Sequence, residues 1–194
     1  MDYAQLSTGF SASLPGWLID ELPPVPTAMP SDEDRMRYVN SLADRNFREG
    51  NGGPFSAIVV DRETGNLISI GVNVVLSSQL SSMHAEVMAI SLAQAYLQRW
   101  DLGVLDLQLV VNWRPCAMCY GALLWSGARS LLIAGDGPEC EQFTGFDEGP
   151  VVADWREQLQ ARGISVTEDV LRDEAIAVFR NFGDSNGTVY NARQ

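Results

Sequence analysis

Lysine is absent from this chain of 194 residues, and histidine occurs once, as His84. All 13 basic residues are therefore arginines, and they face 25 acidic residues for a formal net charge of -12. A surface this acidic repels polyanions, because binding to nucleic acid or to an anionic membrane depends on neutralising phosphates with basic side chains. The composition therefore argues against nucleic-acid and membrane partners.

Cysteine is also scarce. Cys116, Cys119 and Cys140 are too few for a disulfide framework in a chain of this length. Residues 1–4 carry no basic segment, so a secretory signal is not expected. Apolar runs fall far short of the roughly 20 residues that a membrane-spanning helix needs. These absences predict a cytoplasmic protein in a reducing compartment.

Five of the nine prolines fall within residues 1–30, a density that excludes an ordinary helix or central strand. We interpret this segment either as an extended arm laid over the domain or as a partly disordered leader. A single domain is predicted over residues 31–194. It begins with a helix, because Ser31 is a suitable N-cap and apolar residues then recur at helical spacing, at Met36, Val39, Ala43 and Phe47.

The rest of the chain alternates between strand-like and helix-like segments. Strands are predicted at residues 55–61, 67–76, 105–112, 130–134 and 164–168. Helices are predicted at residues 85–100, 116–126, 153–162 and 171–182, with a glycine-rich loop before the third of them. This order predicts helices packed on both faces of a mixed sheet, the three-layer α/β/α architecture.

The one histidine lies in His84-Ala85-Glu86, and Pro115-Cys116-Ala117-Met118-Cys119 follows downstream. One imidazole and two thiolates form a suitable ligand set for Zn²⁺, which prefers nitrogen and sulfur donors. The two thiolates, three positions apart at a helix start, lie on one side of its first turn, where exposed N–H groups favour the anionic form. Three protein ligands leave a fourth position for water, as in catalytic zinc sites.

Glu86 is close enough to His84 to face the same site without binding the metal. Zinc lowers the pKa of a bound water towards roughly 7, so a nearby carboxylate can accept the proton and deliver it to a substrate. Together, H-x-E and P-C-x-x-C are the signature of zinc deaminases. The alternatives are a chance occurrence and a structural zinc site that adds Cys140, although a structural site has no need for Glu86.

On these residues the chain resembles the cytidine-deaminase-like superfamily from about Ser31 to its C-terminus. Gly53-Pro54-Phe55 and Gly71-Val72-Asn73 are similar to segments of the branch that contains guanine and tRNA adenosine deaminases. Residues 145–150 and 190–193 are similar to segments of bacterial guanine deaminases. The resemblance implies a five-stranded mixed sheet, one zinc ion per chain, and a homodimer with exchanged C-terminal tails in which Tyr190 closes the partner's site.

The resemblance also implies roles for individual residues beyond the three zinc ligands. Glu86 would move protons between water and a ring nitrogen, and Glu148 would help to protonate the departing amine. Asn73 and the backbone N–H of Ala85 would hydrogen-bond the base. The ring would pack against two aromatic side chains, Phe55 and Phe146. The alternative interpretation is that Glu148 is a solvated acid in a loop and that the two phenylalanines are ordinary core residues.

The predicted activity is hydrolytic deamination of a free nucleobase, with guanine converted to xanthine and ammonia. Guanosine, cytosine and aminotriazines such as ammeline need the same metal chemistry, and the shape of the pocket decides between them. A tRNA-editing deaminase shares the motif, but the acidic composition argues against it. A zinc-stabilised interaction module without activity is the alternative from a different class. Arg114 departs from the family, since many relatives carry Glu immediately before the Pro-Cys pair.

Overall fold

The structure, a computed structural model, describes residues 6–192, so that residues 1–4 and Arg193, both considered above, lie outside the described residues. Its strands are β1 (Ser56–Asp61), β2 (Leu67–Val72), β3 (Leu107–Val111), β4 (Ser130–Ile133) and β5 (Ser165–Thr167). They form one sheet in the order β2-β1-β3-β4-β5. β1 pairs antiparallel with β2 and β3, whereas β4 is parallel to β3 and β5. The predicted five-stranded mixed sheet is confirmed.

Helices cover both faces of this sheet. Within the described residues they are α1 (Gly16–Asp20), α2 (Asp32–Arg48), α3 (Val75–Ser78), α4 (Ala85–Leu97), α5 (Ala117–Ser126), α6 (Glu139–Thr144), α7 (Trp155–Gln160) and α8 (Arg172–Gly183). α2 and α8 pack in one hydrophobic cluster with Ile58 and Val60 of β1. α4, α5 and α7 pack in a second cluster with Ala57 and Val59. Successive β1 residues thus face opposite helix layers, which confirms the three-layer α/β/α fold.

Three short helices lie where the sequence predicted other structure. The second predicted strand, at residues 67–76, ends at Val72 instead, because the side-chain oxygen of Asn73 accepts a hydrogen bond from the Val75 backbone N–H and turns the chain into α3. α6 occupies part of the predicted glycine-rich loop, and α1 lies in the proline-rich segment. Helices of four to six residues present too few apolar positions for a periodic pattern to reveal them.

The described part of the proline-rich segment packs on the domain. Leu18 of α1 is buried in the same cluster as Met36 of α2. The Arg45 guanidinium lies 4.4 Å from the centre of the Trp17 ring. These contacts agree with an arm laid over the domain, while the boundary near residue 30 stays a prediction. In the part of the chain that the structure describes, no helix is long and apolar enough to cross a membrane.

Gly71 sets how closely α4 approaches β2. A Cβ atom at this position would lie 2.1 Å from the Ala85 carbonyl oxygen and 2.4 Å from the Ala89 nitrogen. Both atoms belong to the backbone of α4 and cannot move away as a flexible side chain would. The crossing holds the start of α4, and with it Glu86, next to the end of β2, where Asn73 follows.

We expect Gly71→Ala to lower the free energy of unfolding by about 1–3 kcal/mol, because the helix backbone has to move away from the strand. Urea denaturation of the purified variant measures this change. Gly16→Ala is the matched control, since a Cβ atom there meets nothing within 4 Å. A Gly71→Ala protein as stable as the control would show that the close crossing does not constrain the fold.

Candidate active site

The three predicted zinc ligands lie at the starts of two neighbouring helices. His84 is the N-cap residue of α4, Cys116 is that of α5, and Cys119 lies in the first turn of α5. Their ligand atoms all lie within 4.8 Å of one another, with His84 Nδ1 3.5 Å from Cys116 Sγ. One nitrogen and two sulfur donors at this spacing fit a zinc ion.

The two thiols of this cluster share one proton. A hydrogen bond with the Cys119 thiol lowers the pKa of Cys116 to about 4. The same hydrogen bond, together with burial, raises the pKa of Cys119 well above its usual value. Because both sulfurs bind a metal as thiolates, zinc binding displaces the remaining proton.

Cys140 does not belong to this cluster. It lies in α6, is buried, and is a free thiol. The metal-binding group found among the described residues consists of His84, Cys116 and Cys119 alone. The structure therefore does not support the alternative of a structural zinc site with three cysteines.

Glu86 lies in the first turn of α4 and is only 6% exposed. Burial raises the pKa of its carboxyl group, and the negative charge of Cys116 adds to that effect. The carboxyl group is also hydrogen-bonded with the Cys119 thiol. Glu86 is therefore a buried acid in contact with the metal-binding group without being part of it, as the sequence predicted.

A cavity of about 280 Å³ opens at the metal-binding group. Six of the predicted site residues line it, namely Phe55, Asn73, His84, Cys116, Phe146 and Glu148. The other three, Ala85, Glu86 and Cys119, are buried beside it. Drug-sized ligands occupy pockets of roughly 300–1,000 Å³, so this cavity suits a smaller molecule with a single ring system.

Asn73 lines this cavity and has an unused hydrogen-bond donor. Its side chain is 1% exposed, and its Oδ1 accepts hydrogen bonds from the Tyr190 hydroxyl at 2.7 Å and the Val75 N–H at 3.2 Å. Its Nδ2 is buried and has no partner within the described residues. A buried donor without a partner costs about 1–3 kcal/mol, which a ligand with an acceptor atom would recover.

Glu148 lies in the loop that follows α6. Its backbone carbonyl accepts a hydrogen bond from the Ala117 N–H at 3.2 Å, and its own N–H donates to Glu141 Oε1 at 3.2 Å. Burial raises the pKa of its carboxyl group to about 8, and the negative charges of Cys116 and Glu86 contribute to the rise. Burial therefore favours the protonated form of Glu148, which can donate a proton. It is not the solvated loop acid of the alternative reading.

The aromatic side chains form one wall of the cavity and also belong to the core. The Phe146 ring lies 5.5 Å from Phe55, 4.7 Å from Tyr190 and 5.4 Å from Phe182, measured between ring centres. Phe146 is itself buried. Both interpretations of Phe55 and Phe146 therefore agree with the geometry, since one side of the cluster lines the cavity and the other packs on α8.

The C-terminal tail covers the cavity of its own chain. Tyr190 Oη accepts a hydrogen bond from the Gly53 N–H at 3.0 Å and donates to Asn73. Asn191 Oδ1 accepts from the Asp147 N–H at 3.0 Å, and its Nδ2 donates to the Gly145 carbonyl at 2.8 Å. These contacts are made within one chain, and the tail exchange between two chains that the resemblance implied stays a prediction.

Seven residues line the cavity without a role predicted from the sequence, although all of them except Ser81 lie in motifs that the sequence analysis singled out. These residues, which were not predicted to bind the base, are Ser81, Ala117, Met118, Asp147, Gly149, Asn191 and Ala192.

Arg114, which replaces the Glu of many relatives, does not line the cavity. The Arg114 Nε donates instead to Asp136 Oδ1 at 2.5 Å, and Asp136 also binds Arg156 at 2.9 Å. The changed charge is thus neutralised within an ion-pair network.

The sequence profile described as "Cytidine and deoxycytidylate deaminase zinc-binding region" matches residues 29–134, more than half of the chain. The chain belongs to this deaminase family. The predicted zinc dependence and the cytidine-deaminase-like fold are confirmed with it. Guanine deaminase of Bacillus subtilis (strain 168) is 30% identical over 154 residues, which cover 78% of this deaminase and 96% of that relative.

Solved structures resemble this deaminase over almost its full length. That of guanine deaminase from Nitrosomonas europaea has 39% identity and a TM-score of 0.86, covering 93% of this chain and 100% of that one. The structure of NE0047 in complex with 2,6-diaminopurine has 43% identity and a TM-score of 0.85, covering 94% and 96% of the two chains.

Proposed function

We propose that this deaminase converts guanine and water to xanthine and ammonia. The observation that carries the proposal is that Asn73, whose Nδ2 has no partner among the described residues, lines a small cavity together with His84 and Cys116. Guanine offers ring-nitrogen and carbonyl acceptors for that donor and an amino-bearing carbon for hydrolysis. Relatives in B. subtilis and N. europaea are guanine deaminases, and NE0047 binds an aminopurine.

Two carboxyl groups divide the proton transfers of this reaction. Zinc held by His84, Cys116 and Cys119 would supply Lewis-acid chemistry that lowers the pKa of water. Glu86, buried against the metal-binding group, would accept a proton from the attacking water and deliver it to a ring nitrogen. Glu148, whose burial favours the protonated form, would donate a proton to the departing amine. Glu148 thereby becomes the acceptor of the second proton of the water.

The remaining predicted residues would orient the base. The first N–H groups of a helix lack partners within the helix, so the N–H of Ala85 at the start of α4 is free to bind a polar edge of the ring. Asn73 would hold another edge through Nδ2. Phe55 and Phe146 would pack against the ring, because both line the cavity.

A substrate panel tests this proposal. We expect the zinc-loaded enzyme to release ammonia from guanine with kcat/KM at least about 100-fold above that for guanosine, cytosine, adenine or ammeline. Because the tail covers the cavity, we expect the ribose of guanosine to be disfavoured. A clear preference for another member of the panel would reassign the substrate while keeping the deaminase. No ammonia from any member, with zinc bound, would favour an interaction module.

The tail contributes to affinity for the base through the Tyr190 hydroxyl. We expect Tyr190→Phe to raise KM for guanine about 5- to 10-fold, because the change removes two hydrogen bonds that fix Asn73 and Gly53 but keeps the ring. Tyr38→Phe, which removes a hydroxyl on α2, serves as the control. Steady-state kinetics of both variants measure KM for guanine. An unchanged KM in Tyr190→Phe would show that the tail does not contribute to substrate binding.

We further propose that the enzyme is a homodimer that meets its partner through the outer face of α5. This helix contains no charged residue, and Met118 and Trp125 are exposed on it. Helices that are apolar all round are normally covered. Two copies, each with a net charge of -12, repel one another least where the contact surface carries no charge. Light scattering should give a dimer for the wild type and a monomer for Trp125→Glu, with exposed Phe10→Glu unchanged.

Exchange of the tails within this dimer stays a prediction from the resemblance. A mixed dimer of Glu86→Gln and Tyr190→Ala chains tests it. With exchange, the intact tail of the first chain closes the intact site of the second, and activity rises above that of either variant alone. Without exchange, each site keeps one defect and no activity is gained.

A cytoplasmic location is the last part of the proposal. Three free, buried thiols agree with a reducing compartment, and a free nucleobase is an intracellular metabolite in purine metabolism. Fractionation of cells that express the tagged chain would test the location directly.

A further inference from the structure

Asn46 connects two segments of the cavity wall from behind. It lies on α2, is 0% exposed, and does not line the cavity itself. Its Nδ2 donates one hydrogen bond to the Gly53 carbonyl at 3.1 Å and another to the Asn73 carbonyl at 2.8 Å. One carbonyl precedes β1 and the other follows β2, so a single side-chain amide joins the start of β1 to the end of β2 at one end of this antiparallel pair.

The position of Asn73 depends on this connection. Its backbone N–H donates to the Phe55 carbonyl at 3.1 Å, and Asn46 holds its carbonyl from the other side. A Cβ atom at Gly52 would lie 2.2 Å from Asn73 Oδ1, so the segment that carries Gly53 presses directly against the Asn73 side chain. A shift of this segment would therefore change the direction of the Asn73 Nδ2 donor.

Only one of the two polar side-chain atoms of Asn46 makes hydrogen bonds, which points to a positioning role more than to a stabilising one. Both of its observed side-chain hydrogen bonds come from Nδ2, and Oδ1 is buried without a partner in the described chain. A buried acceptor without a partner destabilises a fold, and an apolar side chain of similar size avoids that cost. An asparagine here is therefore explained by its two donated hydrogen bonds.

We infer that Asn46 is a positioning residue that sets the affinity for the base through Asn73. The inference rests on the proposed function, in which Asn73 binds guanine. Asn46 makes no contact with the substrate in this account. It orients the backbone from which the substrate-binding amide extends, and it couples that amide to Gly53, whose N–H binds the tail tyrosine.

Asn46→Leu and Asn46→Asp test the inference in the zinc-loaded, full-length enzyme. Both variants keep about the size of the side chain and remove the amide donors, and Asn46→Asp provides a second measurement if Asn46→Leu folds poorly. We expect KM for guanine to rise at least tenfold in both, with kcat within about threefold of the wild type and one zinc per chain. A tenfold change corresponds to about 1.4 kcal/mol.

Asn40→Leu is the matched control. Asn40 lies on the same helix, is 4% exposed, and has no hydrogen-bond partner for either side-chain atom in the described residues. We expect its KM to equal that of the wild type, whatever its effect on thermal stability. A wild-type KM in both Asn46 variants, or an equal rise in Asn40→Leu, overturns the inference while the proposed function stands. A wild type that does not deaminate guanine overturns both.

Discussion

Glu86→Gln should lower kcat for guanine by roughly 10²–10⁴-fold while the protein keeps its zinc, because removal of a general acid–base group has effects of this size. Glutamine keeps the size of the buried side chain but cannot accept the proton of the attacking water. The metal-binding group consists of other residues, so the zinc content should not change. Xanthine formation and metal analysis on the same preparation measure the two quantities together.

A control for this change is Glu157→Gln. Glu157, like Glu86, is an acid in the first turn of a helix, but it lies on the exposed side of α7. It should keep wild-type kcat and zinc content. If Glu86→Gln retained activity within about tenfold of wild type, the proton transfers would have to be assigned to another group. Glu148 would be the first candidate, because it lines the cavity and its pKa responds to the charges of Cys116 and His84.

Cys116→Ala should abolish both zinc binding and turnover. The substitution leaves two ligands, and two ligands are too few for the sites that zinc occupies in proteins. The variant should also lose the stabilisation that a bound metal gives to the folded state. Thermal unfolding with and without a chelator checks this directly: the chelator should lower the melting temperature of the wild type and leave that of the variant unchanged.

Cys140→Ala is the matched control, since it removes another buried, free thiol. It should keep one zinc per chain and wild-type activity. If Cys140→Ala lost its zinc instead, the metal would be held by three cysteines and the histidine. The site would then be structural, and the catalytic account would be wrong.

The metal-binding group could be predicted from the sequence because its residues lie in two short motifs, at residues 84–86 and 115–119. Glu86 lies two positions from His84 and Cys119 three from Cys116, so each pair shares a helix start whatever the rest of the fold does. The strands could be predicted for a similar reason, since β1, β3 and β4 are short, mostly apolar runs that are buried almost throughout.

The rest of the site depends on contacts between distant parts of the chain. The hydrogen bond between Gly53 and Tyr190 spans 137 residues, and that between Asn46 and Asn73 spans 27. Asparagines on a helix and in a turn carry no pattern that would predict these bonds. Arg114 illustrates the same limit, because the sequence shows only that it replaces the Glu of many relatives, and the tertiary structure pairs it with Asp136.

The central claim is that this enzyme hydrolyses guanine, and isotopically labelled water tests it most directly. The zinc-loaded wild type, incubated with guanine in such water, should release one ammonia for each guanine consumed and form xanthine that carries one labelled oxygen, with Glu86→Gln as the blank. Failure to release ammonia with zinc fully bound, or xanthine without the label, would contradict the account.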